Sequence, residues 1–246
     1  MGQLKLINSK ALKGQEETRC RQFTMDPKSR RIDYDSQFGR LATDHAGQVW
    51  VATLSGMLMR KQRPNGRFEA VARLSKILDL FVDGSGRLWI CTNKGLYLIA
   101  SPATDARPQK LSLDGLQSPG DVVEVTGACQ TVRGTLWFLV NGRLFRMHEG
   151  RWAHPELGTS QDTTLGELAC DRDSLWLTGQ SDTAVWKVAA DARSKRLMPH
   201  SLELERSPLR GRRVQSTFVD QRHCHVEGRG GPSGRCSAGD NAVPRL

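Results

Sequence analysis

Short apolar runs, each entered and left by turn residues, recur along the chain. Leu88-Trp89-Ile90-Cys91-Thr92 is typical: apolar on consecutive positions, without the in–out alternation of a strand that has one wet face. Such a run predicts a strand covered on both sides. It follows Asp83-Gly-Ser-Gly86, where an Asp carboxylate can accept from nearby backbone N–H groups and Gly can take the closing conformation. It ends at Asn93-Lys-Gly95, a hairpin signal, after which Leu96-Tyr97-Leu98 predicts a returning strand.

The same unit appears four times. Asp44, Gly47, Trp50, Thr53 and Gly56 mark the first copy, and Asp83, Gly86, Trp89, Thr92 and Gly95 the second. Gly134, Trp137 and Gly142 keep part of it in the third, and Asp171 and Trp176 in a more worn fourth. The tryptophans stand at 50, 89, 137 and 176, a period of about 40 residues, which is one four-stranded propeller blade. Ile77–Val82, Val122–Val125 and Ser216–Val219 read as strands leading into successive copies, and Gly150-Arg151-Trp152 as an outer strand. Unrelated hairpins of a sandwich have no reason to hold Trp at one turn-to-turn position. The expected fold is therefore all-β: a β-propeller of four to five recognisable blades, fitting a small closed ring or an incomplete array.

Phe218-Val219-Asp220 opens a fifth copy, but no Leu-Trp pair follows. The domain reading is a partial preceding blade or linker over 1–40, propeller repeats over 41–220, and a basic Gly/Arg-rich disordered tail over 221–246. Gly2-Gln-Leu4-Lys-Leu6 is like the second half of an earlier copy, so the expectation is an interior fragment of a longer array, truncated or out of frame after Asp220.

Charge changes this picture little. Of the net +10, residues 1–40 carry +4 (nine basic, five acidic) and 205–246 another +4 (eight basic, four acidic), leaving +2 for the middle. A nucleic-acid face would cluster Lys and Arg on a folded element, so no nucleic-acid partner is expected. No apolar run is long enough for a transmembrane helix, and the start is too poor in apolar residues for a signal peptide, which points to the cytoplasm for the chain as written.

The six cysteines (Cys20, Cys91, Cys129, Cys170, Cys224, Cys236) contain no Cys-x-x-Cys pair, so neither a disulfide framework nor a zinc site is expected. Cys91 reads as a small buried apolar residue. His223, Cys224, His225 and Cys236 lie in sequence with no periodic pattern to shape a metal site. The Asp83-Gly-Ser85-Gly86 turn lacks the further oxygen donors of a calcium loop. No metal or cofactor is expected.

The pattern Asp-x-x-Gly-x-Leu-Trp-Ile-x-Thr-x-x-Gly-Leu, nearly complete over 83–96 and close over 44–58, resembles the two-component regulator propeller repeat. The resemblance spans about 40–200. It implies a ligand-sensing propeller outside the inner membrane, serving a histidine kinase or a GGDEF diguanylate cyclase, with an unknown small ligand or signalling partner. No GGDEF run, kinase-type His box or membrane segment stands in this chain, so the implied role is sensing without output. Streptogramin lyases are similar too, through Trp137-Phe138, but Leu139-Val140 replaces their acidic position. His148 and His154 have no carboxylate or nucleophile at a telling spacing, so the chain is read as a non-enzyme; a protein-interaction scaffold is the remaining alternative.

Overall fold

Each Leu/Val-Trp run becomes the second strand of an antiparallel sheet. The computed structural model describes residues 38–62, 67–113, 116, 122–158, 163–180, 185–190, 194–202, 214–219, 224–228 and 234–236, and every regular element among them is a β-strand. Two compact units divide the chain, Met1–Val122 and Val123–Leu246.

The first unit holds two blades. Strands β1 (Phe38–Thr43), β2 (Val49–Thr53), β3 (Met57–Lys61) and β4 (Glu69–Arg73) pair in chain order, as do β5 (Ile77–Val82), β6 (Leu88–Thr92), β7 (Gly95–Ile99) and β8 (Gln109–Lys110). The leading strands β1 and β5 run beside each other. Every residue of β6 is buried, as the unbroken apolar run requires. Trp50, Leu58, Ile77, Leu80, Leu88, Ile90 and Ile99 build the core between the two sheets.

The second unit continues the scheme. Strands β9 (Val125–Gln130), β10 (Leu136–Val140), β11 (Arg143–His148) and β12 (Arg151–Ala153) form the third blade. A short β13 (Glu156–Leu157) follows, then β14 (Leu165–Asp171), β15 (Ser174–Gly179), β16 (Val185–Ala189), β17 (Arg196–Leu197) and β18 (Pro199–Leu202). The fourth blade orders β14-β15-β16-β18, while β13 pairs with β17 in parallel and carries Leu157 and Leu197 into the core around Trp137 and Leu175. A three-stranded fifth sheet is made of β19 (Val214–Val219), β20 (Cys224–Gly228) and β21 (Gly234–Cys236). Again the leading strands are neighbours, β9 beside β14 and β14 beside β19.

Three expectations are corrected. Composition alone predicts no structure after Asp220, yet β20 and β21 pair there, because backbone pairing with β19 needs no apolar pattern. The strand leading into the third blade begins at Val125 rather than Val122, which is 71% exposed; register against β10 sets Cys129 opposite Trp137. Finally, a disulfide joins Cys129 and Cys170 where no disulfide was expected.

Burying one Trp removes on the order of 150–250 Å² from water, worth roughly 4–6 kcal/mol as an upper figure. Trp50, Trp89 and Trp137 are among the largest fully buried side chains. The indole ring is therefore a large part of the blade's packing, and leaving its buried N–H without an acceptor carries a cost.

Candidate functional site

That acceptor is the Asp of the preceding turn. Asp44 accepts the Trp50 indole N–H at 2.9 Å on one carboxylate oxygen and the backbone N–H groups of Ala46 and Gln48 on the other. Asp83 repeats the arrangement: Trp89 Nε1 at 2.8 Å and Arg87 Nε at 2.6 Å reach Oδ2, while Ser85 and Arg87 backbone N–H groups reach Oδ1. Gly47 and Gly86, at φ 77° and 80°, close these turns. Asp83 is fully buried and its oxygens face four donors, so the carboxylate serves the fold.

The third and fourth blades lack this lock, for two different reasons. Six residues before Trp137 stands Thr131, whose hydroxyl reaches Thr135 O instead; Gly134 still closes the turn. In the fourth blade the turn is one residue shorter, so Asp171 lies five residues before Trp176 and its carboxylate accepts from Arg172 N. Both indole nitrogens, Trp137 Nε1 and Trp176 Nε1, are buried without a hydrogen-bond partner.

The other signature residues knit the opposite ends of the strands. Thr53 accepts from Met57 N at 3.1 Å, and Thr92 donates to Gly95 O at 2.8 Å. Gly56 accepts from Leu74 N and Gly142 from Leu165 N, tying each turn to the following connection. Two arginines missed in the sequence reach further: Arg60 donates to Pro102 O and Arg146 to Ser194 O at 2.6 Å, each from a third strand to the next blade. Their signal was a basic residue nine or ten positions after Trp. Arg60 also lies over the Trp50 ring and Lys187 over that of Trp176.

The leading strands share an irregularity. Each of the five carries a register shift against its second strand, between Phe38 and Arg40, Ile77 and Asp79, Val125 and Gly127, Leu165 and Leu168, and Val214 and Ser216. Bulges re-aim side chains and recur beside functional sites. In the first unit they set Arg40 against Asp79, with Arg40 Nε 4.0 Å from Asp79 Oδ1 and donating to Leu78 O. These side chains are 41% and 27% exposed, so both stay in reach of solvent. In the second unit Glu167 sits at the bulge of β14, its N–H donated to Thr178 Oγ1, and the buried Thr126 hydroxyl of β9 has no partner.

Cys91, opposite Asp79 on β6, is buried; desolvation, and after it the Asp79 charge, push its thiol well above its ordinary value. It is no nucleophile. His148 bonds Thr135 at 3.3 Å and lies 3.9 Å from exposed Glu149, at the end of a third strand; His154 stacks on Phe145 and meets Leu144 O. Neither histidine stands on a leading strand. Cys224 pairs with Cys236 in the backbone register of β20 and β21, as His225 does with Arg235; His223 lies outside the described residues. Among the described residues no three His, Cys, Asp or Glu gather as metal ligands, and no helix is long and apolar enough to cross a membrane.

No family model matches the chain, and no curated protein matches it. Solved structures do. YCF48 bound to D1 peptide is similar at 16% identity and TM-score 0.61, covering 91% of this chain and 70% of that one. Catalytically inactive virginiamycin B lyase from Staphylococcus aureus with quinupristin is similar at 14% identity and TM-score 0.58, covering 88% and 73%. The extracellular domain of the putative hybrid two-component system BT4673 from B. thetaiotaomicron is similar at 18% identity and TM-score 0.57; the match covers 80% of this chain and spans 27% of that one. At these identities the likeness carries the fold, and the fold is the β-propeller.

Proposed function

We propose that this chain is a ligand-sensing β-propeller module of a bacterial two-component or diguanylate cyclase signalling protein, acting outside the inner membrane. One observation carries the reading: the bulged leading strands hold a solvent-reachable Arg40–Asp79 pair, while the repeat carboxylates of that unit, Asp44 and Asp83, are committed to tryptophan. A guanidinium fork beside a carboxylate suits a ligand rich in hydroxyl or carboxylate groups. The fold likeness to an extracellular domain of a two-component system supports the same role. The alternative is a propeller enzyme of the streptogramin-lyase type, to which the fold likeness extends equally.

The test is a thermal-shift screen of sugars and oligosaccharides against the full chain, repeated with Arg40→Ala and Asp79→Asn. The expected result is a shift that either substitution abolishes while the unliganded melting point moves little. No shift with any compound, or a shift both variants retain, would sink the proposal.

A further inference from the structure

The two blades that lack the carboxylate lock are the two that are stapled. Cys129 of β9 and Cys170 of β14 are 41 residues apart, one blade period, and their Cα atoms stand 5.6 Å from each other. Cys129 is the cross-strand partner of Trp137, and Cys170 that of Leu175, next to Trp176. The disulfide thus sits on the face of β10 that carries Trp137, whose indole has no acceptor, while Trp176, the partner of Ala169, lies on the other face of its sheet. At the places facing Trp50 and Trp89, the first unit has Ala42 and Phe81, and there Asp44 and Asp83 hold the indoles instead.

We infer that an inter-blade disulfide takes over beside Trp137 the stabilising role that Asp44 and Asp83 play beside Trp50 and Trp89, and that the chain reaches its native form where thiols are oxidised. Formation removes two electrons and two protons from the thiols of Cys129 and Cys170. An exchangeable disulfide, such as oxidised glutathione or the disulfide of an oxidoreductase, receives them and leaves as two thiols. Such bonds persist in secreted and periplasmic proteins and are rare in the cytosol. Cys129 is 7% exposed and Cys170 is half-buried, so reductant reaches the bond from the Cys170 side. Nothing in this inference depends on the ligand reading.

The experiment uses the full chain purified from an oxidising compartment. Peptide mapping without reductant should recover a cross-linked pair containing Cys129 and Cys170. Thiol reductant should lower the melting midpoint by about 10 °C or more, given a loop of this length. The Cys129→Ala/Cys170→Ala variant should melt like reduced wild type, and adding Thr131→Asp should recover part of the loss by giving Trp137 an acceptor. Alkylation of both thiols in the untreated native protein, or an unchanged midpoint on reduction, would overturn the inference. If the double variant does not fold, comparing oxidised with reduced wild type still decides.

Discussion

Asp83→Asn isolates the carboxylate lock with almost no change of shape. The native carboxylate accepts four N–H groups, two per oxygen. An amide in the same place offers one oxygen, so whichever way it is flipped, two donors face an NH₂ group. With the oxygen kept on the turn amides, those donors are the Trp89 indole and Arg87 Nε. Arg87, 36% exposed, can turn to water at little cost. The buried indole cannot, and a buried donor without a partner costs about 1–3 kcal/mol. The expected loss is therefore about 1–3 kcal/mol, and Asp83→Ala, which also strips the turn amides of their acceptor, should cost about 3–5 kcal/mol. Urea unfolding followed by circular dichroism measures both. Indole hydrogen exchange provides a site-specific check, with the Trp89 N–H exchanging faster in the variant. Thr131→Ala is the control: Trp137 never had this acceptor, so that loss should stay within ~1 kcal/mol. Equal losses for Asp83→Asn and Thr131→Ala, or a loss below ~0.5 kcal/mol for Asp83→Asn, would refute the reasoning.

Glycines at matching φ should differ sharply in tolerance. Gly56→Ala drives a methyl into the carbonyl oxygens of Leu74 and Ser75 and should cost well over 2 kcal/mol, whereas Gly47→Ala meets open space and should cost only the left-handed penalty of about 1–2 kcal/mol. Chemical denaturation of the two variants checks this. Cys91 should resist thiol reagents in the native protein at pH 8 and react fully once unfolded, as mass spectrometry would show. Its thiol is raised in the fold, so the unfolded chain releases that proton first; the stability it contributes is complete below the ordinary cysteine value and declines as pH climbs through the range above it. Cys91→Ala should flatten that alkaline decline. Thr131→Asp in the oxidised protein should protect the Trp137 indole from exchange, and unchanged exchange would show that the turn of the third blade cannot imitate that of the first.

What was legible in the sequence was local. Asp-x-x-Gly, Leu-Trp and Asn-Gly each encode a turn or a run within ten residues, and β5, β6 and β7 lie where those signals put them. The partner of the Asp carboxylate was not legible, although its spacing was: acceptor and indole stand six residues apart at 44/50 and 83/89, the position is Thr at 131, and the interval shrinks to five at 171/176. Only the hairpin geometry, which folds the second strand back over the turn, gives that interval a meaning. The bulges were hidden for another reason. The leading strands are short and mix apolar with polar positions without strict alternation, so an extra residue leaves no mark in their sequence, and only pairing with Ala52 and Cys91 puts Arg40 and Asp79 side by side.

The disulfide shows how a repeat converts sequence distance into proximity. Cysteines 41 residues apart carry no information in an ordinary chain, where the separation fits any geometry. In a propeller of about 40-residue blades, one period separates equivalent positions on adjacent blades, and leading strands are the elements that approach most closely. Cys129 and Cys170 meet that condition, and they do so beside Trp137, whose turn carries Thr131 where the first two blades have Asp. Loss of a polar lock and gain of a covalent one in the same pair of blades is what exchange between equivalent stabilising devices predicts. An exported propeller can tolerate drift in its turn aspartates wherever a cysteine pair spans the same seam, whereas one confined to a reducing compartment has to keep them.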